Sequence, residues 1–322
     1  MSDQQDDKDL IQIRFDVPEL FNGWRLDHFI HAKIPRLSRS RIQRMIRAQL
    51  ELGGNRWRVS QRVKTGEQYL LLRPAPEEPD VPRTFSIIEN DDYLMAIDKP
   101  AGLPVHATAR YHKNTLTAVL REHFLDQRVP TLAHRIDRET SGLMVLCLDQ
   151  QAGIGMKRAF ELRKVKKRYL AIVEGSPDDE GVIEYAIGPC ETSGIRVRRA
   201  IDENGKPAST RYRVLERKGA YSLVEAFPQS GRQHQIRVHL SAIGCPIVGD
   251  KLYGPDPALM LEYLETGWSD ALAERLRLPR HALHASDVYF RHPITQQDVH
   301  YHCPLSTDLR EFWQNESTEC LS

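Results

Sequence analysis

The sequence predicts an α+β protein made of a small N-terminal domain and a larger second domain. The apolar run Leu143–Leu148, bounded by turn residues, predicts a strand buried on both faces. Two further apolar runs, 85–88 and 93–97, flank an Asn-Asp-Asp turn and predict a hairpin. Residues 75–83, rich in proline and acidic residues, predict a stiff exposed linker between the two domains.

Composition places the chain among soluble globular proteins, with 322 residues, 40% of them apolar and 28% charged. Its formal charge of +1 does not by itself indicate a partner. Five widely spaced cysteines without a CxxC pair argue against a zinc site and a disulfide framework. The acidic, polar N-terminus argues against a signal peptide, and no apolar run reaches the ~20 residues of a membrane helix. We therefore expect a cytoplasmic protein with no membrane partner.

The N-terminal domain begins with a predicted strand, IQIRFDVPEL, followed by a short helix, WRLDHFIHAKIP, that ends at Pro35. Ser38 is placed to cap a second helix, LSRSRIQRMIRAQL, whose apolar residues recur at helical spacing. Two glycines, Gly53 and Gly54, end that helix. The alternating segment 57–72 then predicts a hairpin.

This domain is strongly basic. Residues 33–73 contain eleven Lys or Arg against two Glu. A solvated helix face is one interpretation, but that much like charge on so small a unit favours an anionic partner, and we predict nucleic-acid binding. The expected contacts on the second helix are Arg39, Arg41, Arg44 and Arg47.

The larger domain continues past its hairpin into a rigid loop with Asp98, Gly102 and two prolines, which presents His106, and then a helix near 116–124. Residues 157–168 contain seven basic residues against Glu161 and predict a second surface for phosphates. The next strand, VKKRYLAIVEG, directs Tyr169 inward among small residues. Tyr169 is then either a core residue or a ring against which a planar base can lie.

Asp137 lies in a charged loop at the mouth of the buried strand 143–148. A rigid element that anchors such a loop fixes the geometry of its side chains, as catalysis requires. The alternative is that Asp137 and Thr140 only form and cap the turn. Further along, a strand at 221–227 leads into a helix at 233–243, near whose start Arg237 needs an anionic partner unless it is exposed at the surface.

Several segments together carry a family resemblance: HRIDRETSG, KRYLAIVEG, GRQHQIRVHL, GDKLYG and HALHA. In this order they resemble the RluA-type pseudouridine synthases, which isomerise uridine in ribosomal and transfer RNA. The phrases RLDHFI and LSRSRIQRMI resemble the S-four RNA-binding domain, although LELGGN stands where a Val-Asn-Gly turn is usual. Ile136 replaces the usual leucine, and Leu148-Asp149 replace Ala-Lys.

The resemblance implies a central, mostly antiparallel mixed sheet flanked by helices, plus a small α/β S-four-like domain. The corresponding boundaries are a tail at 1–12, the S-four-like domain at 13–74, a linker at 75–84, the catalytic domain at 85–314 and a tail at 315–322. A helical segment at 257–278 lies outside the minimal pattern.

The resemblance also implies roles for individual residues. Asp137 matches the nucleophile, Arg237 the arginine that pairs with it, and Tyr169 the tyrosine that stacks on the base and has been proposed to transfer a proton. Arg135 matches the arginine that fills the gap left by the flipped uridine. Further RNA contacts are expected from His134, His106, Lys166, Lys167 and Arg232. No cofactor or metal is expected, and the H-x-x-H pattern at 281–284 matches a structural segment of the family.

The predicted reaction breaks the glycosidic bond at nitrogen 1, rotates the uracil and rejoins it through carbon 5. A base adduct, a ribose adduct and a glycal remain open as the intermediate. Large-subunit (23S) ribosomal RNA is the expected substrate, with transfer RNA as the alternative, and the expected protein is a monomer. The competing functions are a catalytically idle RNA-binding ribosome-assembly factor and a carboxylate-based hydrolase, which would need a second catalytic acid.

Overall fold

The computed structural model describes residues 10–35, 37–74, 78–108, 110–125, 128–191, 193–256 and 258–315. Internal contacts divide the chain into two units, residues 1–77 and 78–322. Most of both predicted tails, residues 75–77 of the predicted linker, and Pro257 lie outside the described residues. None of the helices in these ranges has the length and apolarity needed to cross a membrane.

The first unit packs two helices against a two-stranded antiparallel sheet. Its core includes Phe29, Ile42, Ile46 and Leu71, which are all fully buried or nearly so. The Ser38 hydroxyl accepts a hydrogen bond from the Arg41 amide and so caps the second helix as predicted. The elements are β1 (Leu10–Asp16), a 3-10 turn (Glu19–Phe21), α1 (Leu26–Lys33), α2 (Arg39–Arg47) and β2 (Gln68–Pro74).

The hairpin predicted at 57–72 was wrong. Only the end of that segment forms a strand, β2, and its partner is β1 in the register Leu10 opposite Pro74 to Asp16 opposite Gln68. Residues before β2 run through turns, from which Val63 still reaches the core. Alternation predicts which residues face inward, but it does not identify the strand that completes the ladder.

The second unit has twelve strands and six helices among its described residues. Its first half contains β3 (Ser86–Asn90), β4 (Leu94–Lys99), α3 (Leu116–His123), β5 (Thr131–Leu132), β6 (Ser141–Cys147) and α4 (Gln150–Glu161). The remainder contains β7 (Lys166–Glu174), β8 (Glu180–Ile183), β9 (Ile187–Pro189), β10 (Arg199–Ile201), β11 (Thr210–Lys218), β12 (Tyr221–Pro228), α5 (Gln235–Ala242), α6 (Leu259–Thr266), α7 (Asp270–Leu276), β13 (Leu283–Arg291), β14 (Asp298–His302) and α8 (Thr307–Asn315).

Ten of these strands form one sheet with the order β3-β4-β6-β13-β7-β12-β11-β8, to which β5 and β14 add at β6 and β13. Among the described strands, β6 and β13 form the one parallel pair, and all other pairs are antiparallel. This architecture confirms the predicted α+β fold with a mostly antiparallel mixed sheet. The two largest apolar clusters of its core lie mainly around β4 and β6 and around β7 and β12.

The join between β6 and β13 depends on Gly142. Its φ of +104° lies in a region that L side chains rarely adopt, and a Cβ there would overlap the carbonyl oxygen of Ala285 on β13. Every residue of β6 is buried, as the apolar run predicted. The glycine therefore lets the strand that follows the Asp137 loop lie directly against its parallel neighbour.

Candidate active site

Asp137 lies in the loop between β5 and β6, and its side chain is 22% exposed. The Thr140 amide donates to the Asp137 carbonyl at 3.2 Å and closes a turn, while the Thr140 hydroxyl is hydrogen-bonded to the buried His281 ring at 2.8 Å. The backbone of Asp137 and Thr140 thus forms the turn that the sequence allowed, and the Asp137 carboxylate takes no part in it. The loop is anchored at one end by β5 and at the other by the buried strand β6.

Arg237 lies in the first turns of α5 and is almost fully buried, with 6% of its side chain exposed. The helix is fixed by Gln235, whose amide oxygen accepts from Ser230 and the Arg232 amide and whose nitrogen donates to Ser209 and Thr210. A saturated buried amide of this kind specifies one position for the helix. The burial of the Arg237 side chain excludes the surface-exposed alternative.

The Arg237 guanidinium joins two carboxylates. Its Nη1 donates to Oδ2 of Asp137 at 3.0 Å, and its Nε and Nη2 donate to the two oxygens of Asp250 at 2.7 and 2.9 Å. Burial opposes the charge of Arg237, but the Asp250 and Asp137 carboxylates raise its pKa further above the usual range. Burial alone would raise the pKa of Asp250, but the guanidinium and the amides of Leu252 and Tyr253 lower it.

Asp250 and Tyr253 were missed as site residues. Both belong to GDKLYG, whose presence was noted without a role for either side chain. Asp250 is fully buried, and the Tyr253 ring lies 5.0 Å from the Arg237 guanidinium carbon. A buried carboxylate needs a charge partner. The sequence signal was an Asp two residues after the apolar pair Ile247-Val248, in a chain where Arg237 also needs an anionic partner.

Tyr169, on β7, shares one cleft with Asp137 and Arg237. The cleft has a volume of about 680 Å³, and its wall includes all three residues. Burial and the nearby Asp137 carboxylate raise the pKa of Tyr169, so the phenol keeps its proton at neutral pH. The site thus combines a partly exposed carboxylate, a fixed guanidinium and a neutral aromatic ring.

Known proteins are similar to this chain over most of its length. Residues 93–242 match the family described as RNA pseudouridylate synthase. The chain is 36% identical over 313 residues to "Ribosomal large subunit pseudouridine synthase D" of Nitrosomonas europaea, covering 94% of this chain and 87% of that protein. The chain belongs to the RluA-type RNA pseudouridine synthases. It is accordingly an isomerase that forms pseudouridine in RNA.

Other relatives agree with this membership. The Pseudomonas aeruginosa protein "Ribosomal large subunit pseudouridine synthase D" is 35% identical over 94% of each chain. A solved structure, "Human RNA Pseudouridylate Synthase Domain Containing 4", is 29% identical with a TM-score of 0.57, covering 72% of this synthase and 92% of that chain. Sequence and fold therefore point to one family.

Four of the predicted RNA contacts line the cleft of the synthase: Arg135, His134, Lys167 and Arg232. Arg135 is exposed, whereas the His134 ring is stacked on Phe160. Its Nε2 accepts a hydrogen bond from the Val145 amide at 3.0 Å. Burial, with a smaller effect of Lys167, lowers the pKa of His134 to about 3. Burial lowers the pKa of Lys167 to about 8.

The other predicted contacts are not among the residues that line the cleft. Lys166 is exposed on the opposite face of β7 from Lys167 and Tyr169, because successive strand residues alternate. His106 is also exposed, and partial burial together with Arg135 lowers its pKa. On the first unit, all four predicted arginines of α2 are exposed: Arg39, Arg41, Arg44 and Arg47.

Within the described ranges, no three or more His, Cys, Asp or Glu side chains form a group that could hold a metal ion. The two histidines of HALHA are buried and engaged in hydrogen bonds, His281 with Thr140 and His284 with Ser141 and the Cys303 carbonyl. Both rings therefore help to hold β13 against the loop and strand that carry Asp137.

Proposed function

We propose that this synthase converts specific uridines of large-subunit (23S) ribosomal RNA to pseudouridine, with Asp137 as the nucleophile. The support for the substrate is the printed name of the relatives from Nitrosomonas europaea and Pseudomonas aeruginosa, which align over nearly the whole chain. The support for the nucleophile is the bridge formed by Arg237 between Asp137 and the buried Asp250. Ribosomal RNA as substrate fits action in the cytoplasm.

The carboxylate geometry supports a nucleophilic role. Arg237 contacts only Oδ2 of Asp137, and Oδ1 has no hydrogen-bond partner among the residues that the structure describes. The guanidinium thus fixes the orientation of the carboxylate through Oδ2 and leaves Oδ1 unpaired for attack. Because Asp250 binds both remaining guanidinium nitrogens, Arg237 cannot turn away from Asp137 without breaking a buried pair.

Tyr169 and Arg135 supply what a flipped base requires. The reacting atoms of a stacked uridine are inaccessible, and flipping costs a few kcal/mol. The neutral Tyr169 ring, with its raised pKa, suits stacking on the uracil and is poorly suited to act as a base. The exposed Arg135 at the cleft is free to fill the space that the uridine leaves in the RNA.

The first unit supports the choice of a large RNA. Its α2 buries Ile42 and Ile46 and carries four exposed arginines, which is the arrangement of a phosphate-binding surface. We propose that residues 13–74 act as an S-four-like RNA-binding domain, joined by the linker 75–84 to the catalytic domain 85–314. The module would contribute backbone contacts that offset part of the cost of flipping.

The test uses the full-length protein and RNA from a strain that lacks its gene. Deproteinised 23S RNA, 16S RNA and total transfer RNA are incubated separately with the wild type and with Asp137→Asn, and pseudouridine is mapped by carbodiimide primer extension. We expect new stops in 23S RNA with the wild type and none with Asp137→Asn, which should still bind RNA. Modification of transfer RNA alone would refute the substrate, and an active Asp137→Asn would refute the nucleophile.

A further inference from the structure

His234 occupies an unusual position beside the proposed nucleophile. It precedes α5 with φ +60° in the left-handed region, and only 9% of its side chain is exposed. Its Nδ1 lies 2.8 Å from the Tyr253 hydroxyl, and its Nε2 lies 3.9 Å from Oδ2 of Asp137. The imidazole thus spans the distance between a buried phenol and the carboxylate.

The hydrogen bonds of Tyr253 determine which imidazole nitrogen carries the proton. The backbone amide of Arg199, on β10, donates to the Tyr253 hydroxyl oxygen at 2.8 Å. The hydroxyl proton must then find another acceptor, and within the described part of the chain the only one at hydrogen-bond distance is Nδ1 of His234. With Nδ1 as acceptor, Nε2 carries the proton and directs an N–H at Asp137.

The opposite tautomer is disfavoured at both ends of the ring. A proton on Nδ1 would leave the buried Tyr253 O–H without an acceptor, which costs free energy. It would also direct the Nε2 lone pair at the Asp137 carboxylate. The His234 ring and the Tyr253 hydroxyl are both neutral near pH 7, because burial and Arg237 lower the pKa of His234 to about 4 and burial raises the pKa of Tyr253 to about 12.

We propose that His234 is a positioning residue whose tautomer is fixed by Tyr253, so that its Nε2–H and Arg237 together hold Oδ2 and leave Oδ1 to attack. The inference rests on the proposed role of Asp137 as the nucleophile. A shift of about 1 Å brings Nε2 within hydrogen-bond distance of Oδ2, as when a site tightens around its substrate. The amide of Arg199 makes the β9–β10 hairpin part of this arrangement.

Tyr253→Phe tests the proposal because it keeps the ring beside Arg237 and removes only the hydroxyl. We expect the single-turnover rate at saturating RNA to fall about tenfold, the scale of one hydrogen bond to a charged group, with the RNA Kd unchanged. His234→Gln provides the matched background, since its amide has no tautomers. Adding Tyr253→Phe to His234→Gln should then cause no further loss.

Two outcomes would overturn the proposal: a Tyr253→Phe enzyme as fast as the wild type, or an equal loss in both backgrounds. A second measurement does not depend on activity. In ¹⁵N-histidine-labelled protein, the ring signals that disappear in His234→Gln identify His234, and we expect the Nε2–H form in the wild type and a shift toward Nδ1–H in Tyr253→Phe. An Nδ1–H signal in the wild type would refute the tautomer.

The two proposals fail separately. An active Asp137→Asn enzyme would remove the nucleophile, whereas the His234 tautomer seen by NMR would still stand or fall by its own signals. Conversely, a wild-type Nδ1–H tautomer would remove the positioning role and leave the Asp137→Asn result unaffected. Urea unfolding of each variant confirms that the rates compare folded proteins.

Discussion

Replacing Asp250 by Asn tests whether the buried carboxylate, and not the pair with Asp137 alone, fixes Arg237. The substitution keeps the shape of the side chain, and its amide oxygen can still accept from the Leu252 and Tyr253 amides. It leaves the guanidinium with Asp137 as its one charged partner. Removing one member of a buried pair costs about 3–5 kcal/mol, and the retained hydrogen bonds favour the lower end, about 3 kcal/mol.

For a domain of this size each kcal/mol shifts Tm by about 2–4 °C, so we expect Tm to fall by about 6–12 °C. The single-turnover rate should fall about 100-fold, because a guanidinium displaced by about 1 Å misplaces the carboxylate. Since the pKa of Asp250 is lowered in the folded protein, its stabilisation is present at neutral pH and is lost as the pH falls below about 4. The stability difference between wild type and variant should therefore narrow in acid.

Asp308 supplies the matched control. It binds Arg280 through both oxygens at 2.7 and 2.9 Å, but 52% of its side chain is exposed. Asp308→Asn should cost less than Asp250→Asn and leave the rate unchanged, because its carboxylate is half-exposed and Arg280 keeps its bonds to the Glu139 carbonyl and the Ser306 hydroxyl. Urea unfolding and single-turnover assays on both variants decide the matter, and equal losses would show that burial of the carboxylate is not what fixes Arg237.

Two further predictions follow from the cleft and from the first unit. In His134→Gln, the free energy of unfolding should depend less on pH between about pH 6.5 and 4 than in the wild type, as measured by urea titration. The pKa of His134 is low in the folded protein, so only the unfolded chain takes up that proton on acidification. An unchanged pH dependence would contradict this. Changing Arg41, Arg44 and Arg47 together to Gln should raise the RNA Kd and reduce the slope of log binding constant against log salt concentration by about 2, with the rate at saturating RNA unchanged. An unaltered slope would show that α2 is not part of the RNA-binding surface.

Local patterns predicted the elements well where one residue type dominates a short segment. The apolar run at 143–148 gave the buried strand β6, and Ser38 gave the start of α2. The segment 57–72 failed because its alternation was local, whereas its partner β1 lies far back in the chain. Pairing of strands depends on the whole fold and not on the segment itself.

The same limit applies to the site. The chemistry of Arg237 required an anion, and the family resemblance pointed to Asp137, which lies 100 positions away in the chain. Asp250 was not predicted, because a single Asp after a turn is also a common turn former. The direction of the His234 ring depends on a hydroxyl and on a backbone amide from another hairpin, and a sequence pattern does not encode that kind of three-part contact.

The short parallel pair between β6 and β13 determines when the active site can form during folding. Asp137 lies in the loop before β6, on one side of this pair, whereas Tyr169 on β7 and Arg237 on α5 lie on the other side. The apolar cluster around β4 and β6 also contains Val288 and Phe290 of β13, so side-chain packing as well as the short ladder joins the two sides. Neither side alone can hold the carboxylate against the guanidinium, and catalysis begins only when the two halves of the sheet have docked.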